Sequence, residues 1–597
     1  MTPLDRFIKM DGGSQEIAIH LEPVGDDMNP REIARELYIA VKENQMRGLI
    51  DNQVFFAEML HCLNYKLDPN ELIWRPPTQC VELLHMLHSL LALDEWKRAE
   101  LHSKSLETQL IAFIHFWSRL QKAELDARGL QSANNLPFSG GYNARKTFSE
   151  ILADLEAYPG HRDDGYLNYL RARTLMHLRR KSDAREVLIT SINQVPCNWL
   201  AWTMLHKFVD SKEALADVSV FLCQHWLKRL FLADVRCAVL PLAQDEDVTE
   251  LYKEMLETFN DSPYILTQMA ITQQSQRQVY SAVQLFNKVR AVDPYRLQQL
   301  DVYSNLLYVQ RAETELTYLA HFCVNVNKYC KETCAVVANF LSLRGQHEKA
   351  VEYYRRALKL DPGYSQGWIL MGHECVEIKD TTSAIEAYRQ ATNINERDYH
   401  AWYGLGQLFE VLKMPYFALR YHQKAHSLRP SDSRILVAMA DCYQKLGQMD
   451  DAKKCYYKAY QTGDIEGMVL HNLARLHEEL GEKELARECF RRFLEECDER
   501  KLPDVEEQGD AFLYLARAHL DEGQLDEALI YAQKGFGYAQ RREESKMVIK
   551  QIATARDAET SGANTTDTSS NTTVGINSVL RVPTFKFVTP KSTGAWT

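Results

Sequence analysis

The neighbours most suggestive of chemistry in this chain are His373 and Glu374, an imidazole beside a carboxylate. A zinc hydrolase would need a second histidine at HExxH spacing, and none follows. Cys330 and Cys334 lie four apart and could share a helix face. Two thiols without a second pair at ligand spacing do not make a zinc site. The thirteen cysteines include no CxxC pair and are expected to be reduced, mostly buried thiols of an intracellular protein. The nineteen histidines are dispersed, and no P-loop, GxSxG or kinase signature set is present. Neither a catalytic residue nor a cofactor or metal is implied. Thr589-Pro590 and Thr2-Pro3 are candidate proline-directed phosphosites, though each is a dipeptide that chance supplies. The RREESK run at 541–546 reads as a solvated helix face. The chemistry left is that of hydrogen bonds and ion pairs, which hold a partner rather than transform a substrate.

Elements must position those groups, and composition limits which ones. The chain has 597 residues, 45% apolar and 25% charged, the balance of a folded protein. Its 70 Lys and Arg against 81 Asp and Glu leave a net charge of −11, which argues against general nucleic-acid binding. The apolar run at 83–93 is too short to span a bilayer, and the first residues lack a signal-peptide core.

The organising feature is a period. Ala350, Ala384, Ala418, Ala452 and Ala486 stand 34 residues apart. Four residues after them come Tyr354, Tyr388, His422, Tyr456 and Phe490, and three further on Ala357, Ala391, Ala425 and Ala459. Trp368 and Trp402 share the period, followed by Gly372 and Gly406. Each unit then reads as two antiparallel helices, with a large side chain on one meeting a small one on the other. A single such unit cannot bury its apolar face, so units must stack. The tyrosine stripe reads as core rather than as a base-stacking platform.

This pattern is identified as the tetratricopeptide repeat, which implies an all-α solenoid. Its phase places units at 331–364, 365–398, 399–432, 433–466 and 467–500, then 509–542 after an insertion at 501–508. Upstream, 263–296 fits, 297–330 fits poorly because Leu316 replaces the alanine, and 165–198 and a degenerate 199–232 follow the same phase. The expected organisation is therefore a helical region over 1–160, degenerate units over 161–262, the main array over 263–542, and a short helix then a disordered tail over 543–597. The Ser/Thr/Asn-rich tail is expected to begin near residue 555, and 129–144 reads as a loop.

The wording of the units resembles one family more closely. DPYRLQQLDVYSNLLYV (293–309), SLRGQHEKAVEYYRRALKLDP (342–362), WILMGHE (368–374) and the stretch from RDYHAWYGLGQ to SDSRILVA (397–438) resemble the eighth subunit of the anaphase-promoting complex, or cyclosome. The resemblance is close over 263–542 and looser over 145–262. It implies a non-catalytic scaffold in a RING-type ubiquitin ligase of the nucleus and cytoplasm, acting in mitosis. It further implies a homodimer formed through N-terminal repeats, contacts with sister repeat subunits, and a C-terminal groove for the C-box of Fizzy-type coactivators.

The family geometry turns the second, fifth, ninth, twelfth and thirteenth positions of each first helix inward. On this chain the ninth positions are Asn305, Asn339, His373, Gln407, Asp441 and Arg475, and the fifth are Asp301, Ala335, Ile369, Tyr403, Val437 and His471. Tyr308, Glu377, Glu410 and Gln444 fill later inward positions. The resemblance points to Asn305, Asn339, His373, Glu374, Tyr403, Gln407, Glu410 and Asp441 as the groove. Asn offers both donor and acceptor to an extended peptide, and Glu or Asp can take an arginine. The bland alternative is that these polar groups only solvate an open groove. A co-chaperone clamp for a C-terminal carboxylate is a second alternative, but Asp301 and Ala335 stand where it would need lysine.

Overall fold

A helical hairpin stays closed when its turn offers one residue with left-handed backbone and its facing stripes alternate large and small. In the computed structural model this arrangement recurs along most of the chain. The structure describes residues 29–65, 67, 74, 81–106, 108–134, 142–209, 211–239, 246–276, 278–464, 467–500 and 506–563. It divides into two compact units at Gly463. That division falls inside the stretch 263–542 read from sequence as one array.

In the first unit the hairpins that concern the site are ten helices. They are α1 (Leu300–Val309), α2 (Glu313–Val326), α3 (Lys331–Leu343), α4 (His347–Leu360), α5 (Ser365–Glu377), α6 (Thr381–Ile394), α7 (Tyr399–Val411), α8 (Pro415–Leu428), α9 (Ser433–Lys445) and α10 (Met449–Thr462). Odd-numbered helices open a repeat and even-numbered ones close it. The periodic alanines Ala350, Ala384, Ala418 and Ala452 are fully buried, as is Leu316 in the divergent α1–α2 hairpin. A leucine in place of alanine therefore alters the packing without breaking the hairpin.

The size matching is tight. A Cβ added at Gly372 or at Gly404 would lie 2.7 Å from the ring of Tyr388, so that ring sits between glycines of two consecutive repeats. A Cβ at Gly406 would lie 2.4 Å from the imidazole of His422. The tryptophans tie repeat to repeat by another route. Nε1 of Trp202, Trp368 and Trp402 donates to the carbonyl six residues earlier, on Pro196, Pro362 and Glu396, at 2.8, 3.1 and 2.9 Å. The Trp202 bond carries the register back to the degenerate repeat at 199–232.

Upstream, the helices Pro30–Arg47 and Ile50–Cys62 form a hairpin that packs on residues far along the chain. The Asn52 amide donates to Asn44 and Asn198 at 3.1 and 2.7 Å and accepts from the Leu200 backbone N–H at 3.0 Å. Phe55 stacks on Trp199 with ring centroids 5.1 Å apart, and Arg296 donates twice to Glu58 at 2.8 Å. An isolated antiparallel bridge joins Leu63 to Phe259, and no strand occurs among the described residues.

The second unit holds helices Val469–Glu479, Lys483–Arg500, Glu506–Asp521, Leu525–Gly535 and Arg542–Ala563. Buried Asp464 starts it by accepting from the backbone N–H groups of Gly467 and Val469 at 2.8 and 2.7 Å. Two expectations are corrected here. The last helix continues past residue 555 to Ala563, with Ala555 packed one turn after buried Val548 and Ile552. The stretch 129–144 is helical up to Asn134 and again from Tyr142. The rest of the tail, with Thr589, lies outside the described residues, as does Thr2. Among the described residues no helix is long and apolar enough to cross a membrane.

One turn position recurs at the repeat period with positive φ. Glycine fills it at Gly345 (70°) and Gly447 (77°), but Arg311 (53°), Lys379 (68°) and Lys413 (56°) fill it in the hairpins α1–α2, α5–α6 and α7–α8. A Cβ in that region costs about 1–2 kcal/mol, whereas glycine adopts it freely at some entropic cost in the unfolded chain. Lys379→Gly is therefore expected to stabilise the chain by about 1 kcal/mol. The check is a higher urea midpoint; an unchanged or lower one would contradict the strain argument.

Candidate peptide-binding groove

In α3, α5 and α9 the ninth position faces the tyrosine fifteen places later on the second helix of the same hairpin, whereas in α1–α2 Ala320 stands at that place. The Tyr354 hydroxyl donates to Asn339 Oδ1, the Tyr388 hydroxyl pairs with His373 Nδ1 at 2.8 Å, and the Tyr456 hydroxyl donates to Asp441. The rings of Tyr354, Tyr388 and Tyr456 are core, as the pattern implies, but their hydroxyls come through to the groove side. The α7–α8 hairpin departs from this rule. His422 replaces tyrosine, is fully buried, and its Nε2 pairs with Glu410 at 2.7 Å. The imidazole is shorter than a phenol and meets the twelfth position instead of the ninth, so Gln407 is left exposed.

Two polar clusters result. The first spans α1, α3 and α5. The Asn339 amide donates to Ser304 Oγ at 2.7 Å and to Asn305 Oδ1 at 2.5 Å. Asn339 is 4% exposed, and with Tyr354 on its oxygen both donors are committed inside the protein. Glu374 is equally withdrawn, at 7% exposed. It accepts from Ser342 Oγ at 2.7 Å and pairs with His347 Nδ1 at 2.8 Å. Ser342 also reaches the Tyr308 hydroxyl at 3.3 Å. Asp301 accepts from Tyr364 at 2.7 Å, and burial raises its pKa despite that bond.

The second cluster lies on α7, α8 and α9. Glu410 gathers His422, the Cys442 thiol at 3.5 Å and Lys445 at 3.7 Å. Burial alone would raise its pKa, but the His422 hydrogen bond and the nearby charges outweigh it and hold the carboxylate ionised. Asp441 is shifted the other way, by burial first and then by the like charge of Glu410. The 2.7 Å separation of the Glu410 and His422 atoms is that of a hydrogen bond, and Lys445 already supplies the counter-charge. Glu410, His422 and Cys442 thus form a proton-bonded cluster. Tyr403 lies beside it with its ring 5.4 Å from that of His422.

His373 sits between the clusters. It is open to solvent yet closely surrounded by protein, the environment of a groove floor. That crowding, with the His400 imidazole nearby, pushes its pKa down to about 4. His471 and Arg475, the same register positions one repeat further, belong to the second unit, where His471 lies against Phe490 and Phe493 and Arg475 is exposed. The sequence reading missed Ser304, Ser342 and His347. Ser342 is one turn after Asn339 on α3, a spacing that could have flagged it.

Known families match the chain in three stretches. The family model described as anaphase promoting complex subunit 8 / Cdc23 matches residues 81–270. That stretch of the chain is similar to the subunit 8 / Cdc23 family. Two tetratricopeptide-repeat models match 266–464 and 471–535. The family-specific match thus lies mainly upstream of 263–542, where the wording of the repeats had suggested it. The anaphase-promoting complex subunit 8 of Dictyostelium discoideum is 39% identical over 223 residues, 37% of each chain. The human cell division cycle protein 23 homolog is 36% identical over 298 residues, 49% of each chain. The chain therefore spans half or less of the length of these relatives in the matched stretch. The crystal structure of the APC/C hetero-tetramer Cut9-Hcn1 superposes on 81% of this chain and 96% of its own, at 15% identity and a TM-score of 0.49, too distant to bear on function.

The Asn339–Tyr354 pair shows that asparagine satisfies this ninth position, so His373→Asn is expected to fold normally. A histidine whose pKa is lowered to about 4 leaves the unfolded chain binding the extra proton between pH 6.5 and 4. It therefore costs stability progressively as pH falls through that window, and nothing above it. His373→Asn should flatten the decline of melting temperature from pH 7 to 5 relative to the parent. Superimposable pH profiles would show that the imidazole titrates normally.

Proposed function

We propose that this chain is a non-catalytic scaffold of an anaphase-promoting-complex-type ubiquitin ligase, and that the groove lined by α1, α3, α5, α7 and α9 takes an extended, arginine-bearing peptide such as a coactivator C-box. Support for the assembly comes from the similarity to the subunit 8 / Cdc23 family and from the named relatives. Support for the ligand comes from the charge of the groove side. Helices α3, α5, α7 and α9 carry three Lys or Arg and five Asp or Glu. The observation that carries the reading is Glu374. Its carboxylate is buried in a network that fixes its orientation, and a carboxylate with two partners retains lone pairs for a guanidinium.

The groove sorts its candidates into two roles. Asn339 has spent its donors on Ser304 and Asn305, so it positions Asn305 and the α3 backbone. Glu374, Gln407, His373 and Asn305 are the residues left to meet a ligand. A carboxylate-clamp co-chaperone is disfavoured by the same geometry, since Asp301 would repel a terminal carboxylate.

Glu374→Gln keeps the shape and removes the charge. It should weaken binding of an arginine-centred, aliphatic-flanked peptide by about tenfold or more, while Asn339→Ala should chiefly lower stability, by about 1–3 kcal/mol, through an orphaned Tyr354 hydroxyl. Peptide titration beside thermal melts separates the two; equal peptide affinity for Glu374→Gln would sink the site assignment.

We also infer self-association through the N-terminal repeats. Ile50, Val54, Leu93 and Leu101 expose 44–68% of their surface there, an apolar load that a second copy would cover. Sedimentation of the full chain should give a dimer, weakened by Leu93→Glu with Leu101→Glu. A monomer throughout the micromolar range would count against it.

A further inference from the structure

The two faces of the array carry opposite charge. The second helices α4, α6, α8 and α10 hold ten Lys or Arg against five Asp or Glu, in a chain whose net charge is −11. The excess is not spread evenly. Arg355 and Arg356 on α4, Arg389 on α6, Lys424 on α8 and Lys458 on α10 fall at the same two positions of consecutive repeats, so stacking lines them up in one stripe. All are exposed. Among the described residues no carboxylate lies within ion-pair distance of Arg355, Arg389, Arg420 or Lys424. Arg356 is held over the ring of Tyr353 at 4.6 Å, and Lys458 reaches only the neutral acceptor of His426 at 3.3 Å.

The stripe borders an apolar knuckle. The turn and first residues of the α7–α8 hairpin expose Val411 (67%), Met414 (47%), Tyr416 (61%) and Phe417 (50%). The corresponding turns at 344–347, 446–449 and 480–483 are Arg-Gly-Gln-His, Leu-Gly-Gln-Met and Leu-Gly-Glu-Lys. Tyr416, Phe417, Arg420 and Lys424 succeed one another at helical spacing, so the aromatic pair passes directly into the cations on one face of α8. Phe417 packs on Phe409, which stacks on Tyr421, so the aromatic surface is backed by rings and held rigid.

We propose that this second-helix surface, from Met414, Tyr416 and Phe417 along Arg420, Lys424, Arg389 and Arg355, docks an extended acidic segment of another protein that carries aliphatic or aromatic anchors. A row of unpaired cations attracts carboxylates, and apolar side chains beside it supply area that charge alone does not. Nucleic acid is the less fitting polyanion. It would present phosphates well beyond the stripe to a molecule of net negative charge, and it gains nothing from Met414 and Phe417. The proposal is independent of the groove, whose charge has the opposite sign.

The test uses the full chain and a labelled synthetic peptide with Asp and Glu flanking a central Phe-Leu pair, followed by fluorescence anisotropy at low and high salt. Saturable binding is expected, weakened about tenfold by Arg389→Glu with Lys424→Glu and comparably by Tyr416→Ser with Phe417→Ser, and left unchanged by Glu374→Gln. Arg389, Lys424, Tyr416 and Phe417 are solvent-facing, and for every variant, Glu374→Gln included, melts matching the parent's confirm intact folds. Oligoglutamate of the same length should bind more weakly than the anchored peptide, and a single-stranded DNA of equal charge no better than oligoglutamate. Absence of saturable peptide binding, indifference to both double variants, or preference for the DNA would each overturn the proposal.

Discussion

The α5–α8 repeats depend on one contact: a large ring from the second helix seated against small residues of the first helices. Tyr388 between Gly372 and Gly404 is the clearest case, because neither glycine has room for a Cβ. The ring fixes the distance between helices of one repeat and of the next at once. Its hydroxyl, at the far end of the same rigid ring, then arrives at a set place on the opposite side of the helix pair. Core packing and groove chemistry are two ends of one side chain. Where the ring is shorter, as in His422, the groove partner moves from the ninth to the twelfth position and the local polar pattern changes with it.

How much of this was legible follows from range. The alanine period, the tryptophans and the hairpins they imply are local or repeat-local, and a single sequence shows them because each copy restates the same packing problem. Lys379 and Lys413 in left-handed turns were not legible from residue type, since lysine is no turn signal; the 34-residue register of Gly345 and Gly447 was the available clue. The docking of the first hairpin on Asn198, Trp199 and Arg296 spans well over a hundred residues and follows no period, so nothing in the sequence pairs Asn52 with Asn198. The last helix outran its expected end because a polar composition does not mark where a helix stops: Ala555 still packs on the cluster of Val548 and Ile552, and the helix runs on to Ala563.

The groove residues were legible as positions but not as states. Register placed Asn305, Asn339, His373, Gln407 and Asp441 at one height. It could not show that Asn339 would be saturated by Ser304, Asn305 and Tyr354, or that His373 would remain neutral while open to water. Those properties depend on which hydroxyl crosses from the core and on how closely neighbouring repeats wall the ring.

This coupling bears on how a groove of modest charge can hold a ligand with specificity. Most of its polar groups are already bonded to one another, so their orientation is set before any partner arrives. Glu374 is held by Ser342 and His347, Asp441 by Tyr456, and Glu410 by His422. An incoming guanidinium or peptide amide then meets acceptors that need no further ordering, and the entropic cost of fixing flexible carboxylates is absent from the binding step. The same bonds lie in a poorly hydrated setting, where each is stronger and an unpaired group is more costly. A ligand that offers donors where those carboxylates retain lone pairs gains, and one that brings an acceptor leaves them repelled. In a groove that takes a peptide as proposed, discrimination would originate in the tyrosine and histidine rings of the core, which decide which acceptors face outward and which stay tied to the protein.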